Sequence, residues 1–324
     1  MIDSYGRVID YLRISVIDRC NLRCVYCMPE EGLEMTSHEE VLTYGEIVRI
    51  CKIMAGTGLK KIKLTGGEPL VRKDLPKLAG RLKAIPGIEK VTLTTNGILL
   101  GQLMEELHDA GIDSINISLD TLDRELYAKI TRRDQLDAVQ KGIETALKYP
   151  DISLKINCVP MGLPGQDLSE IASLAKDHRI HVRFIEMMPI GYGKNYRFVG
   201  EDEILGQLEA EFGRSEIYQG KLGNGPCHYY SFEGFQGKIG FISAISHKFC
   251  SECNRVRLTS QGFLKTCLQY NTGNDLKLPM RTGASDEELK KLITRTINEK
   301  PVGHRFLEDE IRNENNLNMS QIGG

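Results

Sequence analysis

Cys20, Cys24 and Cys27 stand at C-x3-C-x2-C spacing inside the run Asp18-Arg-Cys-Asn-Leu-Arg-Cys-Val-Tyr-Cys-Met-Pro29. Three thiolates so placed can hold three corners of a four-iron cluster and leave the fourth iron without a protein ligand. An iron left open can bind a small molecule, so the pattern points to catalysis rather than to a purely structural metal. The competing reading is a zinc knuckle or a set of buried thiols. Structural zinc sites usually close with four ligands, and no fourth ligand stands beside this triplet. A second group, Cys250, Cys253 and Cys267, reads C-x2-C-x13-C. Of the other cysteines, Cys51 falls in a helical pattern and Cys158 in a strand, and both read as small core residues. Cys227 receives no assignment.

The chain has 324 residues and a formal net charge of −2. That length accommodates one large unit and a small one. Residues 1–10 carry Asp3, Arg7 and Asp10 and no apolar core, unlike a signal peptide. No apolar run approaches the roughly 20 residues that span a bilayer. A reducing cytoplasm is the expected setting, where clustered cysteines more often bind metal than pair with each other. Balanced charge without a long block of one sign gives no expectation of a nucleic-acid or membrane partner.

The elements that must position these cysteines alternate regularly. Strands are expected at 11–17, 61–65, 91–95, 114–118, 154–159 and 181–185. Helices are expected at 43–55, 75–84, 99–110, 124–131, 136–148 and 168–177. Thr43 with Glu46 makes a capping box at the first helix. Short apolar strands between amphipathic helices argue for a parallel sheet. Six such strands fit a partial, open (β/α)6 TIM-like barrel, and the same alternation also fits a doubly wound sheet. Parallel α/β folds place their chemistry at the carboxyl ends of the strands. The first cysteine loop follows the first strand, and Thr65-Gly-Gly-Glu-Pro69 follows the second. Thr94-Thr-Asn-Gly97, Ser118-Leu-Asp120 and Met187-Met-Pro189 follow later ones. All of these fall on one rim.

The triplet Cys20, Cys24 and Cys27, with Tyr26 before its last cysteine and Gly-Gly-Glu-Pro after the second strand, resembles the radical SAM superfamily. The resemblance implies that the open iron chelates S-adenosylmethionine and that reductive cleavage yields a 5′-deoxyadenosyl radical. It also implies that Tyr26, Gly67, Ser118 and Met188 line the S-adenosylmethionine site. The protein's part is to place that radical and shield it.

The second group narrows the likeness. His247-Lys-Phe-Cys-Ser-Glu-Cys-Asn-Arg-Val-Arg-Leu-Thr259, the distant Cys267 and the terminal Gly323-Gly324 are similar to the GTP 3′,8-cyclase family, which opens molybdenum-cofactor biosynthesis. The resemblance runs end to end. It implies two [4Fe-4S] clusters, the second on Cys250, Cys253 and Cys267. The implied reaction removes hydrogen from C3′ of GTP and closes C3′ onto C8, giving (8S)-3′,8-cyclo-7,8-dihydroguanosine 5′-triphosphate. A triphosphate needs fixed cations, and the rim is expected to supply them in Arg13, Lys63, Lys155, Arg183, Arg255 and Arg257. Four of these interrupt otherwise apolar strands, where charge is unexpected. Thr94, or its neighbour Thr95, adds a hydroxyl, and Val256 joins the substrate contacts. Lys63 stands where the family more often has Arg, which keeps the charge and loses the guanidinium fork.

The expected division is a radical SAM core over 1–214, a small α+β C-terminal unit with the second cluster over 215–310, and a tail over 311–324. The resemblance also implies that Gly323 and Gly324 reach the active site and help catalysis. It further implies an external electron donor, a homodimer and a following pathway enzyme that takes the product. A peptide-modifying relative would carry more auxiliary cysteines, and a nucleic-acid-binding module would show a basic aromatic face.

Overall fold

The alternation of apolar and polar residues inside each strand decides the architecture. Parallel sheets covered by helices on both faces show strands that are apolar throughout. Here Leu12, Ile14, Ile62, Leu64, Val91, Leu93, Ile115, Ile117, Leu154, Ile156, Val182 and Phe184 all enter one hydrophobic core. The residues between them are polar and face the other way. One face of the sheet therefore packs on helices and the other encloses a space. That removes the doubly wound alternative and leaves an open α/β barrel.

The computed structural model describes residues 1–33, 36–306, 308 and 319–322. The core strands are β1 (Tyr11–Ser15), β2 (Lys61–Thr65), β3 (Lys90–Thr95), β4 (Ser114–Ser118), β5 (Ser153–Cys158) and β6 (Ile180–Ile185). Between them run α1 (Tyr44–Ala55), α2 (Leu75–Lys83), α3 (Leu100–Asp109), α4 (Arg124–Thr131), α5 (Leu136–Ala146) and α6 (Leu168–Asp177). These six strands pair in sequence order, each parallel to the next. The Thr43 box forms: Glu46 N–H donates to Thr43 Oγ1 at 3.2 Å and Thr43 N–H to Glu46 Oε2 at 2.7 Å.

The rest of the described chain is α7 (Glu201–Phe212), β7 (Ser215–Tyr218), β8 (His228–Phe232), β9 (Ile239–Ile242), β10 (Arg255–Leu258), β11 (Phe263–Lys265), β12 (Gly273–Asp275), α8 (Lys277–Arg281), α9 (Asp286–Asn298) and α10 (Met319–Ile322). Helix α7 was not expected from the sequence. Its buried apolar set is only Ile204 and Leu208, too sparse to mark a face.

The segments beyond residue 214 do not stack on the barrel as a separate layer. Strand β9 adds parallel to β6, and β10 adds parallel to β1, so eight parallel strands run side by side. The full order is β12-β11-β10-β1-β2-β3-β4-β5-β6-β9-β8-β7. Among the described residues β9 and β10 do not pair, and the barrel keeps a slit between them. Helix α9 lies outside, held to α1 by Arg49 with Asp286 at 2.7 Å. Arg281 of α8 reaches Glu46 at 2.7 Å and holds that carboxyl down to about 2.

Candidate active site

A cavity of about 670 Å³ fills the lumen. Its walls are the inward positions of the strands. They form rows, because parallel strands bring one position of each to the same height. One row reads Arg257, Arg13, Lys63, Thr92, Ser114, Ser153 across six neighbouring strands. The next reads Thr94, Asn116, Lys155, and above it come Ser118, Asn157, Arg183. All of these side chains line the cavity. The cations therefore lie inside the barrel, below the rim that carries the first cysteine loop, and not on the rim itself.

Three cations in directly opposed positions on adjacent strands repel one another. Burial adds to the cost, since Lys63, Lys155, Arg183 and Arg257 are each less than a tenth exposed. Among the described residues, none of Lys63, Lys155, Arg183, Arg255 and Arg257 has a carboxylate at ion-pair distance. Lys155 donates to Ser114 Oγ at 3.1 Å and Ser153 Oγ at 2.5 Å, and Arg183 Nε to Asn157 Oδ1 at 3.0 Å. Arg257 Nη1 is buried with no hydrogen-bond partner among the described residues. Burial, reinforced by Arg183, lowers Lys155 to about 7. Burial and the surrounding guanidinium groups push Lys63 well below the usual lysine range. This charge has one evident chemical use, the binding of a polyanion.

Above the cations, the first cysteine loop is clamped from several sides. Arg23 N–H and Val25 N–H donate to Thr131 O and Ile130 O at the end of α4. Arg132, left-handed at φ 56, donates to Arg23 O and Met28 O. Tyr26 OH donates to Asp120 Oδ2 at 2.8 Å, and Val159 N–H takes Oδ1 at 2.8 Å. Burial raises Asp120 to about 6. Glu68 of the Gly-Gly-Glu-Pro turn accepts from Thr95 Oγ1 at 2.7 Å, Leu70 N–H at 2.9 Å and Asn96 N–H at 2.6 Å. A Cβ on Gly66 would meet Ile17 O at 2.4 Å, and one on Gly67 would meet Asp18 O and Arg19 O at 2.4 Å. These glycines are fixed by the main chain entering the cysteine loop, a closer constraint than any ligand.

The second cysteine group sits at the opposite end. Cys250 and Cys253 precede β10, and Cys267 follows β11, which runs back antiparallel to the start of β10. Because β10 is parallel to β1, this is the amino end of the lumen. Arg7 holds the group in place. It pairs with Asp3 at 2.7 Å in a buried bridge and donates to Cys250 O, Val302 O and Pro301 O. Lys300, almost fully buried, donates to Arg255 O at 3.0 Å and Thr266 O at 2.6 Å. Burial pushes the Cys253 thiol up, but Arg255 and Lys300 outweigh it and hold the group at about 7.

Both triplets fit iron–sulfur ligation. One sulfur of each triplet accepts a main-chain hydrogen bond, as thiolates bound to iron do: Cys20 Sγ from Leu22 N–H at 3.4 Å, and Cys250 Sγ from His304 N–H at 3.5 Å. Among the described residues no three His, Cys, Asp or Glu groups close on a single ion. Cluster ligands each take a different iron, so they need not converge on one point.

Of the residues singled out from sequence, Tyr26, Gly67, Ser118, Met188, Thr94 and all six cations line the one cavity together with both cysteine groups. Val256 does not: alternation turns its side chain into the apolar core, leaving only its main chain available. Gly323 and Gly324 lie outside the described residues. The turn before them, α10, is described, with Ile322 buried beside Ile190, Ile245 and Phe306. The sequence reading placed Asn96 and Asp120 on the rim without a role and missed Asn116, Asn157, Glu186, Lys300 and His304; all of these line the cavity. Strict polar alternation in Ser-Ile-Asn-Ile-Ser and Ser-Leu-Lys-Ile-Asn would have found Asn116 and Asn157. No local pattern marks Lys300 or His304.

Residues 14–178 match the family model of the Radical SAM superfamily, and residues 180–306 match Molybdenum Cofactor Synthesis C. GTP 3′,8-cyclase of Heliobacterium modesticaldum is 45% identical over 329 residues, covering 100% of both chains. The Clostridium perfringens protein of the same name is 46% identical over 327 residues, again 100% of both. Among solved structures, Streptococcus suis SuiB bound to S-adenosylmethionine matches with a TM-score of 0.61 at 14% identity, over 91% of this chain and 65% of that one. At that identity the likeness is one of fold.

The Arg7 clamp yields a prediction. Arg7→Ala leaves Asp3 as a buried, unpaired carboxylate, a change that typically costs about 3–5 kcal/mol. Urea unfolding should show that loss, and iron per chain after reconstitution should fall at the second triplet. An unchanged unfolding midpoint would rule out the clamp.

Proposed function

The chain belongs to the radical SAM superfamily and, within it, to the GTP 3′,8-cyclase family, and from that premise we propose how this lumen performs the reaction. The enzyme converts GTP to (8S)-3′,8-cyclo-7,8-dihydroguanosine 5′-triphosphate in molybdenum-cofactor biosynthesis, using S-adenosylmethionine and iron–sulfur chemistry. The observation that carries the reading is a buried cation layer between two cysteine triplets, in which Lys63, Lys155, Arg183, Arg255 and Arg257 have no carboxylate at ion-pair distance among the described residues.

Cys20, Cys24 and Cys27 hold a first [4Fe-4S] cluster, and Cys250, Cys253 and Cys267 a second. S-adenosylmethionine on an iron–sulfur centre supplies a carbon radical able to take hydrogen from an unactivated C–H bond. Everything else is positioning by this chain. Asp120 fixes Tyr26 and with it the first cysteine loop. Tyr26, Gly67, Ser118 and Met188 border the S-adenosylmethionine site. Arg13, Lys63, Lys155, Arg183, Arg255 and Arg257 hold the triphosphate, with Thr94 and the Val256 main chain as neutral contacts. The nucleotide is then fixed by its phosphates at mid-lumen and by its base toward the second triplet. Ring closure within one molecule needs such fixing, because the target hydrogen must lie beside the radical carbon. The lumen wall excludes water from that carbon. Gly323 and Gly324, following the buried Ile322, aid catalysis from the tail.

The wider reading keeps the 1–214, 215–310 and 311–324 division, a cytoplasmic setting, an external electron donor, a homodimer and a following enzyme that consumes the product. No described helix is long and apolar enough to cross a membrane.

Two predictions separate the parts. Cys24→Ala should abolish reductive cleavage of S-adenosylmethionine, whereas Cys253→Ala should retain uncoupled cleavage and lose cyclised GTP. Chromatography of 5′-deoxyadenosine and of the nucleotide product reads both. Loss of all cleavage in Cys253→Ala, with the first cluster spectroscopically intact, would sink this division of labour.

The second prediction concerns protons. Lys155 titrates at about 7 in the folded, ligand-free protein, well below its ordinary value near 10.4. Between those values the unfolded chain binds more protons than the folded one, so this group makes ligand-free stability rise with pH across that window. A triphosphate beside Lys155 favours its charged form. GTP binding near pH 8 should therefore take up protons, read by calorimetry in buffers of different ionisation enthalpy. Lys155→Met should reduce the uptake, and an unchanged uptake would place the phosphates elsewhere.

A further inference from the structure

The slit between β9 and β10 is crossed by the connection between β7 and β8, which leaves the sheet beside the carboxyl end of β9 and reaches the amino end of β10. Residues 219–227 make that connection, longer than the two to five residues an antiparallel hairpin usually needs. Its extra length is spent on reach. Cys227, at one end, lies against β9, where a Cβ on Gly240 would come within 2.6 Å of its sulfur. Asn224, midway, presents its carbonyl to Asn254 Nδ2 at 3.5 Å. Asn254 also donates to Asp10 Oδ1 at 2.7 Å, and its own carbonyl accepts Tyr11 N–H, so it marks the entrance of β1 and β10. The loop thus runs from one edge of the open barrel to the other.

Every residue from 221 to 227 lines the lumen. The run reads Lys221-Leu-Gly-Asn-Gly-Pro-Cys227. Lys221 is exposed on one side and has no carboxylate at ion-pair distance among the described residues. Gly223 and Gly225 carry no side chain to keep a ligand from their amides. A Cβ on Gly225 would meet nothing within 4 Å, so glycine here is not demanded by packing. The part of the lumen beneath is the cationic part: Cys227 lies within electrostatic reach of Arg183 and Lys155. An exposed cation beside a glycine-flanked run of main chain that lines a polyanion site has the makings of a phosphate cover.

We propose that Lys221 and the main-chain amides of residues 223–225 close over the terminal phosphate of the bound nucleotide, so that this loop reads the triphosphate chain length. The inference rests on the lumen being the GTP site. It assigns the six strand-borne cations to general phosphate binding and the loop to discrimination between nucleoside triphosphate and diphosphate.

The test uses the full chain with reconstituted iron–sulfur centres, kept anaerobic, and measures Kd for GTP and for GDP by calorimetry. Lys221→Gln should weaken GTP about tenfold and GDP less than about twofold, as expected for loss of one charge-assisted contact. Gly225→Val, which has room for its side chain but crowds the amides, should narrow the GTP-to-GDP ratio in the same direction. Trypsin cleavage after Lys221 in the unmodified chain should be slowed by GTP more than by GDP. Equal weakening of both nucleotides in Lys221→Gln, or a GTP-to-GDP ratio unchanged in both variants, would overturn the loop's role while leaving the lumen as the GTP site. An unmodified chain that binds neither nucleotide would overturn the lumen assignment and the loop's role with it.

Discussion

Arg257, Arg13 and Lys63 stand at one height on three adjacent parallel strands, and most of this structure can be understood from what that placement requires. Like charges in opposed positions destabilise a sheet, and burial sharpens the repulsion. No helix can pack on such a face. The strands must therefore keep their apolar residues on the outer face alone, and the inner face must enclose a space. Neutral hydroxyl and amide groups fill the remaining inward positions: Thr92, Ser114, Asn116 and Ser153 extend the cationic rows without adding charge. They can accept from the cations, as Ser114 and Ser153 do from Lys155, but cannot neutralise them. The residual charge is left for a ligand.

The two ends of the lumen are finished by different means. At the carboxyl end, short turns after the strands lock onto one another through buried carboxylates. Glu68 gathers Thr95 and Asn96, Asp120 gathers Tyr26 and Val159, and Glu186 accepts from Ile245 N–H at 2.7 Å and Ser246 N–H at 3.1 Å. Each such group is satisfied by hydrogen bonds, which is how a buried acid is tolerated. At the amino end the floor is built from chain far apart in sequence. Arg7, Lys300 and residues 250–254 meet there, and Arg7, with Ser4 Oγ donating to Asn298 O at 2.7 Å, ties the first ten residues to the segment around 301. The second triplet therefore depends on long-range packing, the first mainly on a local loop.

Much of this was legible in the sequence. The six β/α units, the Thr43 capping box and the placement of the first triplet after β1 follow from local pattern. So do four of the six cations, Arg13, Lys63, Lys155 and Arg183, because a charge set inside an apolar strand must have something polar to face. Four features were hidden. The cations lie at mid-strand, and only the register shows that they form rows inside the barrel instead of a rim. Strands β9 and β10 extend the core sheet at both edges, a partnership that neither short run could announce alone. Val256 lies between two lumen-facing arginines, and alternation sends its side chain to the core. Lys300 and His304 sit in segments with no periodic signal, and tertiary contact alone brings them to the cavity.

The central claim is that the lumen cations strain the ligand-free fold and are relieved by a polyanion. The most direct measurement is the unfolding free energy of Lys63→Met, from urea titration with and without GTP. Lys63 is buried, bordered by Arg13, Arg183 and Lys155, and methionine keeps its length. The account predicts that the variant is more stable than the unmodified chain without GTP, and that GTP stabilises it far less. A variant that is less stable without GTP, yet gains as much from GTP as the unmodified chain, would contradict it.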